Sequence, residues 1–210
     1  MTWRRRITPL LPLVAIAGGF VVLNLGYVRT QAAYVIHGPK TVSIPKPGLV
    51  VPGRGSATST ANVLAIPSLG ITTPIQYVTS TKEAAFQVAL RDGVVHYPGT
   101  ALPGEYGNAY IFGHSSDYSW SKGTFKTVFA LLPKIAKGAS IIVTDKNGKV
   151  FNYTAVSTRV VNPTDLSVLD QQGKAKRLLT VQTSYPIGTA LRRFIVVAEL
   201  TTSTTATSTN

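Results

Sequence analysis

The stretch "SIIVTDKNGKVFNYTAVSTRVV", residues 140–161, narrows the folding options of this chain more than any other. Two runs rich in Val, Ile, Thr, Phe and Tyr flank Asn147-Gly148, a pair that takes positive φ at little cost and so closes a β-hairpin. The same grammar recurs along the chain. "NVLAIPSLGITTPIQYV" reads as two short strands joined at a Ser-Leu-Gly turn, and "NAYIFGH" as a strand ending at His114. "LLTVQTSYPIGTALRRFIVVAEL", residues 178–200, reads as strand, Pro/Gly loop and strand. Between these lie short helical signals: "TKEAAFQVAL" with a Thr start and Gly93 downstream, one or two turns in "TFKTVFALLP", and another in "PTDLSVLD". About eight strands with small helical insertions predict a mostly β domain that closes, or nearly closes, into a barrel.

The chain's 210 residues allow one such domain beside one membrane anchor. Three arginines, Arg4 to Arg6, precede residues 7–28, which carry no charge. As a helix that run spans about 33 Å, enough for a hydrocarbon core of about 30 Å. The arginines place residues 1–6 in the cytoplasm and the bulk of the chain outside, in a single-pass cell-membrane topology. A cleaved signal peptide is the rival, since "TQAAY" offers small residues near Ala33, but the apolar run exceeds the usual signal core. Residues 29–60, rich in Pro, Gly and Ser, predict an extended stalk, residues 61–200 the barrel, and residues 201–210 a low-complexity tail.

Composition removes several chemistries. No cysteine is present, which excludes disulfides, thiolate metal sites and a cysteine nucleophile. His37, His96 and His114 lie far apart without carboxylates at ligand spacing, so neither a metal nor a cofactor is expected. With 21 basic against 8 acidic residues, the net charge of +13 suits lipid head groups, acidic wall polymers or nucleic acid, or simply a well-solvated surface. Nucleic acid ranks last, because the basic part faces outward and no recognition motif accompanies it.

Three residues stand where chemistry is possible. His114 closes a strand after Gly113 and can exchange protons near neutral pH. Ser184 stands at the lip of a strand, and Arg192 and Arg193 follow a short loop later. Each alone is equally well read as an ordinary surface or loop residue. A serine hydrolase of another fold is disfavoured, since no Gly-X-Ser-X-Gly elbow surrounds any serine and Asp117, three residues after His114, is a weak triad partner.

Together, "GVVHYPGTALPGEYGNAYIFGHSS", "RLLTVQTSYPIG" and "RRFIVV" resemble the sortases, membrane-anchored cysteine transpeptidases of the bacterial envelope. The resemblance covers about two thirds of the chain. The family's Thr-Leu-X-Thr-Cys strand corresponds to Thr180-Val181-Gln182-Thr183-Ser184, with serine at the nucleophile's place. Its histidine corresponds to His114 and its arginine best to Arg193, directly before Phe-Ile-Val. The resemblance implies an eight-stranded barrel, a groove for a Leu-Pro-X-Thr-Gly-like sorting signal, cleavage between Thr and Gly, and transfer of the acyl group to an amine of the cell wall or a pilin. In the family the cysteine carries the acyl group, the histidine protonates the leaving amine, and the arginine donates to substrate or oxyanion. Calcium serves some members; no acidic cluster here supports it.

Ser184 is the departure. An alcohol does not ionise near pH ~7 and needs a base bonded to it, whereas a thiol of pKa near ~8.5 supplies some thiolate unaided. Three readings stay open: a laboratory replacement of the cysteine, a natural relative that binds peptides without turnover, or a serine enzyme with His114 as base. Around the site, Thr183, Tyr185, Tyr118 and Trp120 are expected to contact substrate, the three rings lining an apolar pocket or simply packing. His96, in "VVHYPGT", could bind substrate, though a structural role at the Pro-Gly turn is favoured.

Overall fold

The computed structural model describes residues 25–37, 61–118, 120–171 and 175–204. Helix α1 (Leu25–His37) precedes the strands β1 (Val63–Ile66) and β2 (Ile71–Tyr77), helix α2 (Glu83–Ala89), and strands β3 (Val94–His96) and β4 (Gly107–Phe112). Strands β5 (Ser140–Thr144), β6 (Val150–Val161), β7 (Arg177–Tyr185) and β8 (Arg192–Thr204) follow. The eight strands close into a barrel in the order β1-β2-β3-β4-β7-β8-β6-β5. Pairs β2–β3 and β4–β7 are parallel and the rest antiparallel. The expected mostly β barrel with few helices is therefore the fold.

Strand alternation sorts side chains between two faces. Leu179 and Val181 of β7, Ala109 and Ile111 of β4, and Phe194, Val196 and Ala198 of β8 join the main interior core. Their neighbours in sequence, Tyr110, Ile195 and the half-buried Phe112 and Val197, pack on the outer face in a second cluster with Val161 and Val168. Each fully buried aliphatic side chain contributes on the order of 1.5–3 kcal/mol. A barrel buried on both faces of β4, β7 and β8 thus commits these strands to one register.

The hairpin at 140–161 forms as read. Gly148 N–H donates to the Asp145 carbonyl (3.1 Å) and Asp145 N–H to the Lys149 carbonyl (2.9 Å), closing a three-residue loop with Gly148 at φ 76°. Other expectations shift. Helix α2 begins after Lys82 rather than at Thr81, and its entry is held by Lys82 N–H donating to Ser80 Oγ at 3.2 Å. Strand β4 ends at Phe112, two residues before His114. "TFKTVFALLP" makes only turns and a 3₁₀ helix at Leu132–Lys134. Pro133 brings no N–H to continue a helical ladder, and Phe129 N–H is spent on the His114 carbonyl at 2.9 Å.

Both flanks differ from expectation. Residues 29–37, read as the start of an extended stalk, continue α1, a Gln-Ala-Ala-containing run with neither Gly nor Pro. Thr201 to Thr204, read as tail, extend β8, pairing with β6 from Thr202↔Asn152 to Thr204↔Val150. The β-branched Thr201, Thr202 and Thr204 suit a strand once a partner edge is present. The expected cytoplasmic residues 1–6, residues 7–24 of the apolar run, the stalk from 38 to 60 and the tail from 205 lie outside the described residues. No described helix is long and apolar enough to cross a membrane.

Candidate functional site

A cavity of about 320 Å³ opens on the outer face of β4, β7 and β8. Ser184 and Gln182, alternate residues of β7, reach it together with Tyr110 and Phe112 of β4 and Arg193 of β8. Phe86 of α2 and Leu90 just after it close one side, and Pro163, Leu166 and Leu169 of the β6–β7 connection close the other. Polar and charged side chains, Glu83, Asp165 and Gln182 among them, share the lining with these apolar residues and give a peptide-sized groove with convergent chemistry.

His114, Ser184 and Arg193 all line this groove. The parallel pairing of β4 and β7 runs to Phe112↔Gln182, and Gly113 N–H extends it by donating to the Gln182 carbonyl at 3.1 Å. His114 therefore leaves the sheet beside Ser184. A Cβ on Gly113 would stand 2.8 Å from Val94 Cγ1 and 2.9 Å from Phe129 Cδ2, so the approach to His114 needs glycine. On the other edge Ser184 sits opposite Arg193 in the β7–β8 register, while Arg192 faces Tyr185. Arg193 Nη1 donates to the carbonyls of Ala190 and Arg192, each at 3.0 Å, which orients the guanidinium. Arg193 lines the groove and Arg192 does not.

Burial lowers the His114 pKa below its usual 6.5, opposed by the negative charges of Asp117 and Glu83. The imidazole is thus largely neutral at pH 7. Asp117 Oδ2 lies 4.0 Å from His114 Nε2, beyond hydrogen-bond reach. That carboxylate is instead held by its own loop, accepting from Tyr118 N–H (2.7 Å) and Ser121 Oγ (2.6 Å). Among the described residues no hydrogen bond joins Ser184 to His114 or to Arg193. What the arrangement can do is supply a hydroxyl, a neutral base and a fixed cation to one bound peptide.

The remaining expected contacts separate by face. Thr183 points inward, fully buried, with Oγ1 donating to the Gly113 carbonyl at 2.9 Å. Tyr185, on the same side, packs against the interior core and lies 6.0 Å from the Phe194 ring. His96 is buried; its Nε2–H donates to the Ala101 carbonyl at 2.8 Å and the Tyr77 ring lies tilted against it, centroids 5.1 Å apart. Burial holds its pKa down. None of the three lines the groove, because period-2 alternation and the turn at 97–101 aim them elsewhere. Tyr118 and Trp120 stack on each other outside it, centroids 4.7 Å apart.

Several groove residues had no signal of their own in the sequence. Tyr110 donates a hydrogen bond to Gln182 Oε1 across the floor, and burial raises its pKa, keeping it a neutral donor. Gln182 could have been found by stepping two residues back from Ser184. The groove wall is latched from behind. Gln171 Nε2 donates to the Leu169 (2.9 Å) and Asn108 (3.0 Å) carbonyls, while its Oε1 accepts from Asn108 N–H (3.1 Å) and Ala101 N–H (3.3 Å). Asn108 Nδ2 donates to the Val168 carbonyl (3.1 Å), and its Oδ1 accepts from Thr180 (2.8 Å). Among the described residues no group of three His, Asp or Glu side chains could hold a metal ion.

A closed eight-stranded barrel whose outer groove gathers a hydroxyl, an imidazole and a guanidinium defines a class of peptide-binding, acyl-transfer architecture. The chain belongs to the sortase family: the family model of the sortase domain matches residues 64–201. Among solved structures it is similar to sortase C of Clostridium perfringens, with 27% identity over 67% of this chain and 68% of that one, TM-score 0.53. It is similar to sortase E of Streptomyces avermitilis, with 27% identity over 70% and 92% of the two chains, TM-score 0.54. Sortase C1 of Streptococcus suis, at 20% identity over 68% and 73%, TM-score 0.57, shares the fold. The comparison with curated proteins returned no match.

Proposed function

We propose that this chain is a sortase-type transpeptidase that cleaves a Leu-Pro-X-Thr-Gly-like sorting signal and passes the acyl group to an amine of the cell envelope or a pilin. The observation that carries the reading is the convergence of Ser184, His114 and Arg193 on one peptide-sized groove within a sortase domain. Neutral His114 takes the Ser184 hydroxyl proton as Oγ attacks the Thr carbonyl. Arg193 donates to the oxyanion. The C–N bond breaks, His114 returns the proton to the departing Gly amine, and an ester remains on Ser184. An acceptor amine then attacks that ester, its proton restores the serine hydroxyl, and the new amide leaves.

Serine makes the first step slower than a thiolate would, so turnover by this form is impaired. Residues 7–28 anchor the chain in the cell membrane, with residues 1–6 in the cytoplasm and the barrel outside. A second reading, a sortase-like protein that binds peptides without turnover, draws on the missing hydrogen bond between Ser184 and His114. Active sites without substrate commonly hold such bonds open.

Incubation with a panel of fluorogenic Leu-Pro-X-Thr-Gly-type peptides, with and without a glycine or lysine amine, tests the proposal. Amine-dependent product is expected from the Ser184 chain, absent in His114→Ala and at least about a hundredfold slower in Arg193→Lys. No product from any peptide, with either Ser184 or Ser184→Cys, would leave the binding reading standing.

A further inference from the structure

We propose that Tyr118 and residues 120–137 form a membrane-docking face that seats the barrel on an anionic lipid surface, with the stacked Tyr118 and Trp120 rings at head-group level. The inference rests on the reading of residues 7–28 as a bilayer anchor. Three independent features of this segment converge.

The rings are the first. Tyr118 and Trp120 are 57% and 68% exposed, stacked with planes 12° apart, and lie outside the groove. Exposed Tyr and Trp combine an apolar body with a polar tip, the pairing that partitions to the membrane–water interface.

Charge is the second. From Tyr118 to Thr144 the chain carries Lys122, Lys126, Lys134 and Lys137 and no Asp or Glu. Lys122, Lys134 and Lys137 are exposed. A lysine near an anionic surface strengthens association about fivefold, and the effect fades with salt.

The third is the tether. Gln31 Nε2 of α1 donates to the Ala130 carbonyl at 3.4 Å. A second cavity, about 240 Å³, is lined by Thr30 of α1 and by Thr124, Phe125, Thr127 and Val128. Thr30 stands two residues beyond the apolar run, about 3 Å along a helix. The polar head-group layer is roughly 5–8 Å deep on each side of the bilayer. A barrel segment held at Thr30 and Gln31 therefore meets that layer directly. The barrel rests on the membrane by this face, and the Lys side chains meet the phosphates while the rings enter the interface.

The two tryptophans, Trp3 and Trp120, make the test direct. The full-length chain is reconstituted in vesicles of phosphatidylglycerol and phosphatidylcholine containing lipids brominated near the carbonyl end. In Trp3→Phe, emission reports Trp120 alone; in Trp120→Phe, it reports Trp3 at the anchor. Trp120 is expected to be quenched and blue-shifted, with quenching reduced at least about threefold by Lys122→Glu/Lys137→Glu or by pure phosphatidylcholine. Circular dichroism of the double variant checks that the barrel is intact. Quenching of Trp3 without quenching of Trp120 overturns the docking face and spares the anchor. Quenching of neither overturns both. A Trp120 that ignores brominated lipid but responds to sorting peptide overturns the proposal in favour of a substrate-facing loop.

Discussion

Replacing Ser184 with Cys changes one atom in a groove whose other groups stay in place. At pH 7 a thiol of pKa ~8.5 is about 3% thiolate, whereas a serine hydroxyl yields no useful alkoxide without a base. The serine form therefore relies on general-base help from His114, a contribution that typically amounts to 10²–10⁴-fold. No hydrogen bond between the two side chains is in place to deliver it before substrate binds. Ser184→Cys is expected to acylate at least about a hundredfold faster, roughly 2.7 kcal/mol in barrier. Burial sets the pH signature: with the His114 pKa below 6.5, acylation of the serine form rises with pH through that lowered value and then levels. The cysteine form keeps rising toward pH ~8.5 as thiolate accumulates. Intact-protein mass spectrometry of both forms with a panel of sorting peptides, sampled between pH 5 and 9, measures the rates as a mass adduct on residue 184. Equal or slower acylation of the cysteine form across the panel would refute the reasoning, because the groove would then be built around the hydroxyl.

Other outcomes follow from the same geometry. Burial lowers the pKa of both His96 and His114, so the unfolded chain binds protons near pH 6.5 that the folded chain refuses. Stability is then full above about pH 6.5 and falls as pH drops below it; His96→Gln should show a smaller loss of Tm between pH 7 and 5, and an unchanged slope would clear His96 of this role. Gln171→Ala removes four hydrogen bonds behind the groove wall. It is expected to cost about 1–3 kcal/mol in urea unfolding and to raise KM about tenfold with kcat nearly kept. A loss confined to kcat would show that the wall serves the chemical step rather than peptide binding.

Much of this molecule is local and therefore legible. The hairpin at Asn147-Gly148, the Gly70 turn and the strand runs depend on residues within a few positions of one another, and strand count leads to the barrel. His114, Ser184 and Arg193 stood out through the resemblance of their short motifs to the sortases, and strands β7 and β8 with the residues after β4 bring the three to one groove.

What the chain alone left undecided is which face of each strand meets the interior. In "FIVVA" both faces are apolar enough to be buried, and in "LLTVQTS" each alternate set includes polar residues, Thr180, Gln182 and Ser184 in one and Thr183 in the other, so alternation separates two sets of side chains without placing every member. Only closure of the barrel put Thr183 and Tyr185 inward and Gln182 and Ser184 into the groove. Only the β7–β8 register set Arg193 rather than Arg192 opposite Ser184. The Asn108 and Gln171 latch joins residues about 60 positions apart, and polar side chains of that kind look like any loop until the backbone groups they satisfy are assembled. The same holds at both flanks: α1 meets the barrel through Gln31 and Ala130, and the Thr-rich end of β8 becomes strand only beside β6. Local sequence determines which conformations each segment can adopt; long-range pairing decides which of them is stabilised, because the hydrogen bonds and apolar contacts that choose belong to two segments at once.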